Sequence, residues 1–356
     1  MNHTLENYLE VVAPHLSHKL VSSQALSYIQ TITKILPPLP EVLLECRLAD
    51  NNPNVDFSVL AKASDGSRDI LAGLSSTNAL PNVIFTNPVW SRIRDFCLYW
   101  HQPNSLLANN IDHIWLEFDV DDQPQNIPIP SFFFHFQYHS KFSRKKFNSF
   151  AEQKQTIATG LSLLLEHSLT PQIKQNLAIC CDSLPPESQV LYIGAMLSRP
   201  LNAVRLNIID IPEDKLENYL TKIGWTYPIK KLQELIKVIS SFVDIIILNF
   251  DVGNTILPKV GIECELLKKS PRLEPRWQLF LDYLVKTGLC TPDKRDAFLS
   301  WHGHSYQESN AEVWPSNVSR VSSILFRRLN HIKIVYYPNS YPEAKGYLSF
   351  SHKWID

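Results

Sequence analysis

The chain has 356 residues, with 34 Lys plus Arg against 35 Asp plus Glu, a formal net charge of -1, and a composition that is 44% hydrophobic and 19% charged. That is the composition of a globular protein, and the lack of a basic excess argues against a nucleic-acid binder that works by phosphate neutralisation. The stretch MNHTLENYLEVVAPHL has no basic segment followed by an apolar core, and no run reaches the length of a membrane span, so a cytoplasmic location is expected. Cys46, Cys97, Cys180, Cys181, Cys264 and Cys290 form no C-x-x-C pair and lie mostly in apolar segments, as reduced core thiols do. Without a secretion signal, the sequons at Asn2 and Asn317 carry no meaning.

The elements alternate regularly. A helical period over 4–35, broken at Pro14, precedes the strand pair VLLECRLA (42–49) and VDFSVLAKA (55–63). A helix over 88–101 precedes HIWLEFDVD (113–121) and SFFFHFQYH (131–139). Helical spacing over 151–180 precedes QVLYIGAML (189–197) and AVRLNIID (203–210), joined across RPLN. Two helical pieces over 213–241 precede DIIILNFDV (244–252) and KVGIECELL (259–267). A helical stretch over 273–300 and a polar loop over 301–320, a candidate lid or surface excursion, lead to HIKIVYYP (331–338) and AKGYLSFSHK (344–353). Helix, strand, strand, five times over, implies antiparallel hairpins, because parallel neighbours would need a crossover after every strand.

Side chains alternate across a strand, and here one face of nearly every strand is apolar while the other is polar or aromatic. Val42, Leu44 and Cys46 oppose Glu45 and Arg47; Ile114, Leu116 and Phe118 oppose His113, Trp115, Glu117 and Asp119; Val204, Leu206 and Ile208 oppose Arg205 and Asn207. Such strands carry helices on one face only. An open antiparallel sheet and a closed barrel both satisfy this; closure removes both sheet edges, so the expected fold is α+β, a ten-stranded αββ-repeat barrel with helices outside and a polar lumen, spanning 1–356 with no internal boundary.

The groups of lumen parity set the chemistry. Seven acids, Glu45, Asp56, Glu117, Asp119, Asp251, Glu263 and Glu265, accompany the cations Arg47, Lys62, Arg205, Lys333 and Lys353. So many carboxylates inside a barrel need cations, a metal or a cationic ligand. The i, i+2 pairs Glu117/Asp119 and Glu263/Glu265 suit a hard ion such as Mg²⁺, or a guanidinium or ammonium group on a ligand. His113, His135 and His139 share one parity on one hairpin, which fits either transition-metal ligation or hydrogen-bonding lumen walls. No glycine-rich phosphate loop and no D-D-x-x-D motif occurs.

The segments SRPLNAVRLNIIDIPEDKLENYLTKI, VDIIILNFDVGNTILPKVGIECELL and RRLNHIKIVYYPNSY resemble strands of the ABBA-fold (PT-barrel) prenyltransferases, most of all the peptide prenyltransferases of cyanobactin pathways. The resemblance covers roughly 200–352 in local pattern and the whole chain in element order. It implies a transferase that moves a prenyl group from an allylic diphosphate to a nucleophile on a peptide or aromatic metabolite, with Mg²⁺, in natural-product biosynthesis. By that likeness Arg47, Lys62, Arg205 and Lys333 would hold the diphosphate, and Trp115, Phe133, Tyr337 and Tyr347 would shield the allylic cation. Glu117, Asp119 and Asn207 would bind the acceptor, Glu263 and Glu265 would hold the metal, and Glu45 would be the acceptor base. Two other readings stay open: a barrel that binds a peptide or hydrophobic ligand without turnover, and a Mg-ATP carboxylate-amine ligase, whose strands VGIECEL resembles.

Overall fold

In a computed structural model the described residues are 5–49, 55–76, 79–120, 127–137, 150–199, 201–306, 314 and 322–355. His139 and most of the 301–320 connection lie outside them. The strands are β1 (Val42–Arg47), β2 (Val55–Lys62), β3 (Ile111–Phe118), β4 (Ser131–Phe136), β5 (Gln189–Ala195), β6 (Val204–Ile209), β7 (Ile245–Val252), β8 (Ile256–Glu265), β9 (Gly303–Tyr306), β10 (Ser322–Tyr336) and β11 (Glu343–Ile355). Every pairing is antiparallel, β1 to β8 neighbour one another in chain order, β8 pairs with β10, and β11 pairs with both β10 and β1. Ten strands therefore close into a barrel, the one of the two arrangements compatible with the face pattern that leaves neither sheet edge open.

Two features differ from the sequence expectation. The 301–320 connection contributes β9, an eleventh strand that pairs with the front of β10 from Ile324 to Arg327. β10 itself starts at Ser322, not near His331, and is broken by a bulge between Leu329 and His331. The extra residue reverses the in/out parity in mid-strand, so SSILFRRLNHIKIVY never shows one continuous alternation.

The α-helices of the described residues are α1 (Leu5–Val12), α2 (Ser23–Ile35), α3 (Ser67–Leu71), α4 (Pro88–His101), α5 (Leu106–Asn110), α6 (Phe150–Leu164), α7 (Pro171–Asp182), α8 (Glu213–Lys222), α9 (Ile229–Ile239), α10 (Arg276–Lys286) and α11 (Pro292–Ser300), and four of the longer ones start at a side-chain cap. Ser22, Asn87, Thr170 and Thr291 accept backbone N–H groups at the starts of α2, α4, α7 and α11, three of them followed by a helix-initiating proline. Their apolar faces, with Trp90, Trp100, Trp277 and Phe298 fully buried, cover the outward faces of the strands in one core. The lumen-facing residues are left to the interior of the barrel.

Candidate active site

The lumen holds two adjoining regions. The first is lined by Glu45, Glu117, Arg199, Arg205, Asn249, Asp251, Lys259, Lys333, Tyr337 and Lys345 around a cavity of 60 Å³. The second, of 110 Å³, is lined by Ser58, Trp115, Phe133, Tyr192, Asn207, Glu263, Glu265, His331 and Tyr347, and Glu117 and Lys333 border both. A larger 520 Å³ hollow lies elsewhere, around α6 (Phe150–Leu164) and α7, and its lining includes none of the residues of either region.

Every acid of lumen parity meets a cation. Arg47 donates to Glu45 at 2.6 Å and to Asp56 at 2.7 Å, and Lys345 donates to Glu45 at 2.5 Å. Tyr347 also donates to Glu45. Arg199 reaches Glu117 at 2.9 Å and chelates Asp119; Arg205 holds Asp251 through two bonds, of 2.8 and 3.1 Å, with Lys259 at 3.3 Å. Lys333 pairs with Glu263 at 3.2 Å, and Lys269 with Glu265 at 3.4 Å.

These contacts set the protonation states. Burial alone would raise the Glu45 carboxyl, but Lys345, Arg47 and Lys333 outweigh it and hold Glu45 well below the carboxylate range. Asp56 shares Arg47 with that ionised neighbour, and burial together with the Glu45 charge pushes it up to about 7. At Asp251 burial is again outweighed, here by Arg205 and Lys259, which lower it to about 2. The first region is thus a set of cations fixed in place by carboxylates.

The second region sets the rings of Trp115, Phe133, Tyr192 and Tyr347 beside the carboxylates of Glu263 and Glu265. Phe133 lies against Gly194, where an added Cβ would meet its ring at 2.5 Å, so only glycine leaves the ring its place. His331 stacks on Tyr347 with centroids 3.8 Å apart, and the bulge in β10 is what turns His331 inward. Burial drives His331 down to about 3, keeping the ring neutral. The Asn207 side-chain oxygen and both polar atoms of Asn249 are buried without a partner among the described residues.

The residues singled out from sequence are distributed unevenly over this site. Glu45, Arg205, Lys333, Trp115, Phe133, Tyr347, Glu117 and Asn207 line one or both regions. Arg47 stands behind Glu45 and Asp56, and Asp119 is held by Arg199. Lys62 is opposite His113 in the register, at the far end of β2 from Arg47 and Asp56. Tyr337 lines the cationic region, not the aromatic one. Glu263 and Glu265 are each bonded to a lysine, and no group of three potential ligands among the described residues includes them, so they make a poor Mg²⁺ cage and no step is assigned to the ion. Lys259 and Lys345, not among the residues singled out from sequence, have the same strand parity as Glu263 and Tyr347, so alternation alone places them in the lumen. Arg199 sits in the β5–β6 connection, where no alternation exists to point it inward.

No family model and no curated protein sequence matches the chain. Among solved structures, the apo form of the prenyltransferase PriB is similar, with a TM-score of 0.52 and 10% identity over 98% of this chain and 93% of that one. PriB in a binary complex with product diphosphate gives 0.50, with the same identity and coverage. The chain therefore has the ABBA fold, the closed αββ barrel of these prenyltransferases.

Proposed function

We propose that this protein is a prenyltransferase that moves an allylic group from a diphosphate to a nucleophilic atom of an aromatic or peptide acceptor. One observation carries this reading: the cations Arg199, Arg205, Lys259, Lys333 and Lys345 line a region that shares Glu117 and Lys333 with a chamber bordered by Trp115, Phe133, Tyr192 and Tyr347. Breaking the allylic C–O bond releases diphosphate, whose charge the cations neutralise, while the aromatic faces keep water from the carbocation. The acceptor then forms the new bond and loses a proton to a carboxylate. Glu45 is our candidate, because it lies in the cationic region and touches Tyr347 of the chamber. PriB shares the fold and has been seen with product diphosphate.

Both cavities are smaller than the roughly 300 Å³ at which ligand pockets begin. Ligand entry must therefore swing aside long side chains, and Lys345 and Lys259 in the lining have the length to move. The buried thiols are all free, which fits a reducing cytoplasm, and no helix of the described residues is long and apolar enough to cross a membrane.

The test is incubation of the full chain with dimethylallyl, geranyl or farnesyl diphosphate and tryptophan or tryptophan-containing peptides, with and without EDTA, read by mass spectrometry. Prenyl adducts are expected, together with a rise in melting temperature on adding inorganic diphosphate. Glu45→Gln should still bind diphosphate and lose roughly 10²- to 10⁴-fold in rate. Full turnover in that variant assigns the proton to another carboxylate, and absence of both adducts and thermal shift favours a non-catalytic barrel.

A further inference from the structure

At the end of the lumen away from Arg205 and Asp251, a second cluster of chemically capable side chains takes no part in the reaction proposed above. β3 carries a bulge between Ile111 and His113. In a regular strand Asp112 and His113 would point to opposite faces; the bulge brings them together, with Asp112 Oδ2 2.9 Å from His113 Nδ1. His135 is the direct cross-strand partner of His113, its ring stacked on that of His113 at a centroid distance of 4.1 Å. Its Nδ1 lies 3.9 Å from the same Asp112 oxygen. One ligand atom from each of the three residues falls within 4.8 Å of the other two.

We propose that Asp112, His113 and His135 form a binding site for a divalent transition-metal ion of the zinc type. Two imidazoles and a carboxylate are the donor set such ions prefer over Mg²⁺. His135 is buried, with 8% exposure, and its Nδ1 is shut off from solvent with no hydrogen-bond partner among the described residues. A hydrogen-bonded ring stack alone would leave that atom uncompensated, whereas an ion shared with Asp112 and His113 completes it. The outer contact is also in place: His113 Nε2 is 3.0 Å from the Tyr192 hydroxyl, so its N–H can donate there once Nδ1 turns to the metal, as ligating histidines commonly do. Three protein ligands leave a position for water or for a donor atom of a ligand.

The experiment is a titration of tag-free, chelator-stripped full-length protein with Zn²⁺ by calorimetry and with Co²⁺ by visible absorption. One tight equivalent of Zn²⁺ and cobalt bands in the visible range are expected, undisturbed by excess Mg²⁺. Asp112→Asn and His135→Gln should each weaken that equivalent by more than about tenfold, and Tyr192→Phe by roughly 10- to 100-fold. The Asp112 side chain is 56% exposed, so Asp112→Asn keeps the fold and carries the test even where His135→Gln does not fold. No tight equivalent, or one whose affinity is unchanged in Asp112→Asn, overturns the proposal.

Discussion

Arg205 and Asp251 show how the lumen is kept charged at single residues. Their side chains are 9% and 3% exposed and directly cross-strand, on β6 and β7. The Asp251 carboxyl is lowered from 3.8 to about 2, a difference worth on the order of 2 kcal/mol. The sign follows from linkage: a depressed folded-state value stabilises above the unfolded value and is lost as pH falls from about 4 towards 2. Asp251→Asn should therefore cost roughly 3 kcal/mol at pH 7, since it also strands Arg205. Urea unfolding at several pH values should show the gap to wild type closing below pH 4; a gap that is constant with pH would refute the assignment. Both residues were visible from parity alone, as were Glu45, Trp115 and Tyr347. What parity cannot give is pairing: that Lys345 reaches Glu45 depends on β11 lying beside β1, a contact between residues 300 positions apart.

At the scale of elements, the five hairpins and the longer helices were legible because period two and period 3.6 are hard to confuse over such lengths. The misses have local causes. α3 (Ser67–Leu71) and α5 (Leu106–Asn110) are a turn or so long, too short for a period to register. β9 has four residues, and β10 hides its length behind a bulge. Helix docking is tight where a glycine permits it: at Gly346 of β11 an added Cβ would sit 2.4 Å from the Phe298 ring of α11. Gly346→Ala should thus destabilise by about 1–3 kcal/mol through overpacking, and Phe298→Leu in the same background should recover part of the loss. Equal thermal stability of Gly346→Ala and wild type would show that α11 can shift at no cost.

For the molecule as a whole, the decision between an open sheet and a barrel rested on the edges, and β11 settles it by bonding to both β10 and β1. That seam has a kinetic side. β1 is made early and its last partner comes from the far end of the chain, so at roughly 5–20 residues per second the ribosome takes about 15–60 s to supply it. Through that interval β1 offers an open edge, and Glu45 lacks Lys345 and Tyr347. Pairings this distant in sequence also slow the search for the native state. Refolding from denaturant should accordingly run on a scale of seconds and lose yield as protein concentration rises; millisecond, concentration-independent recovery would mean that the barrel forms by a route in which the seam is not last. The nascent chain is therefore most vulnerable not at its newest residues but at its oldest strand, which waits longest for its neighbour.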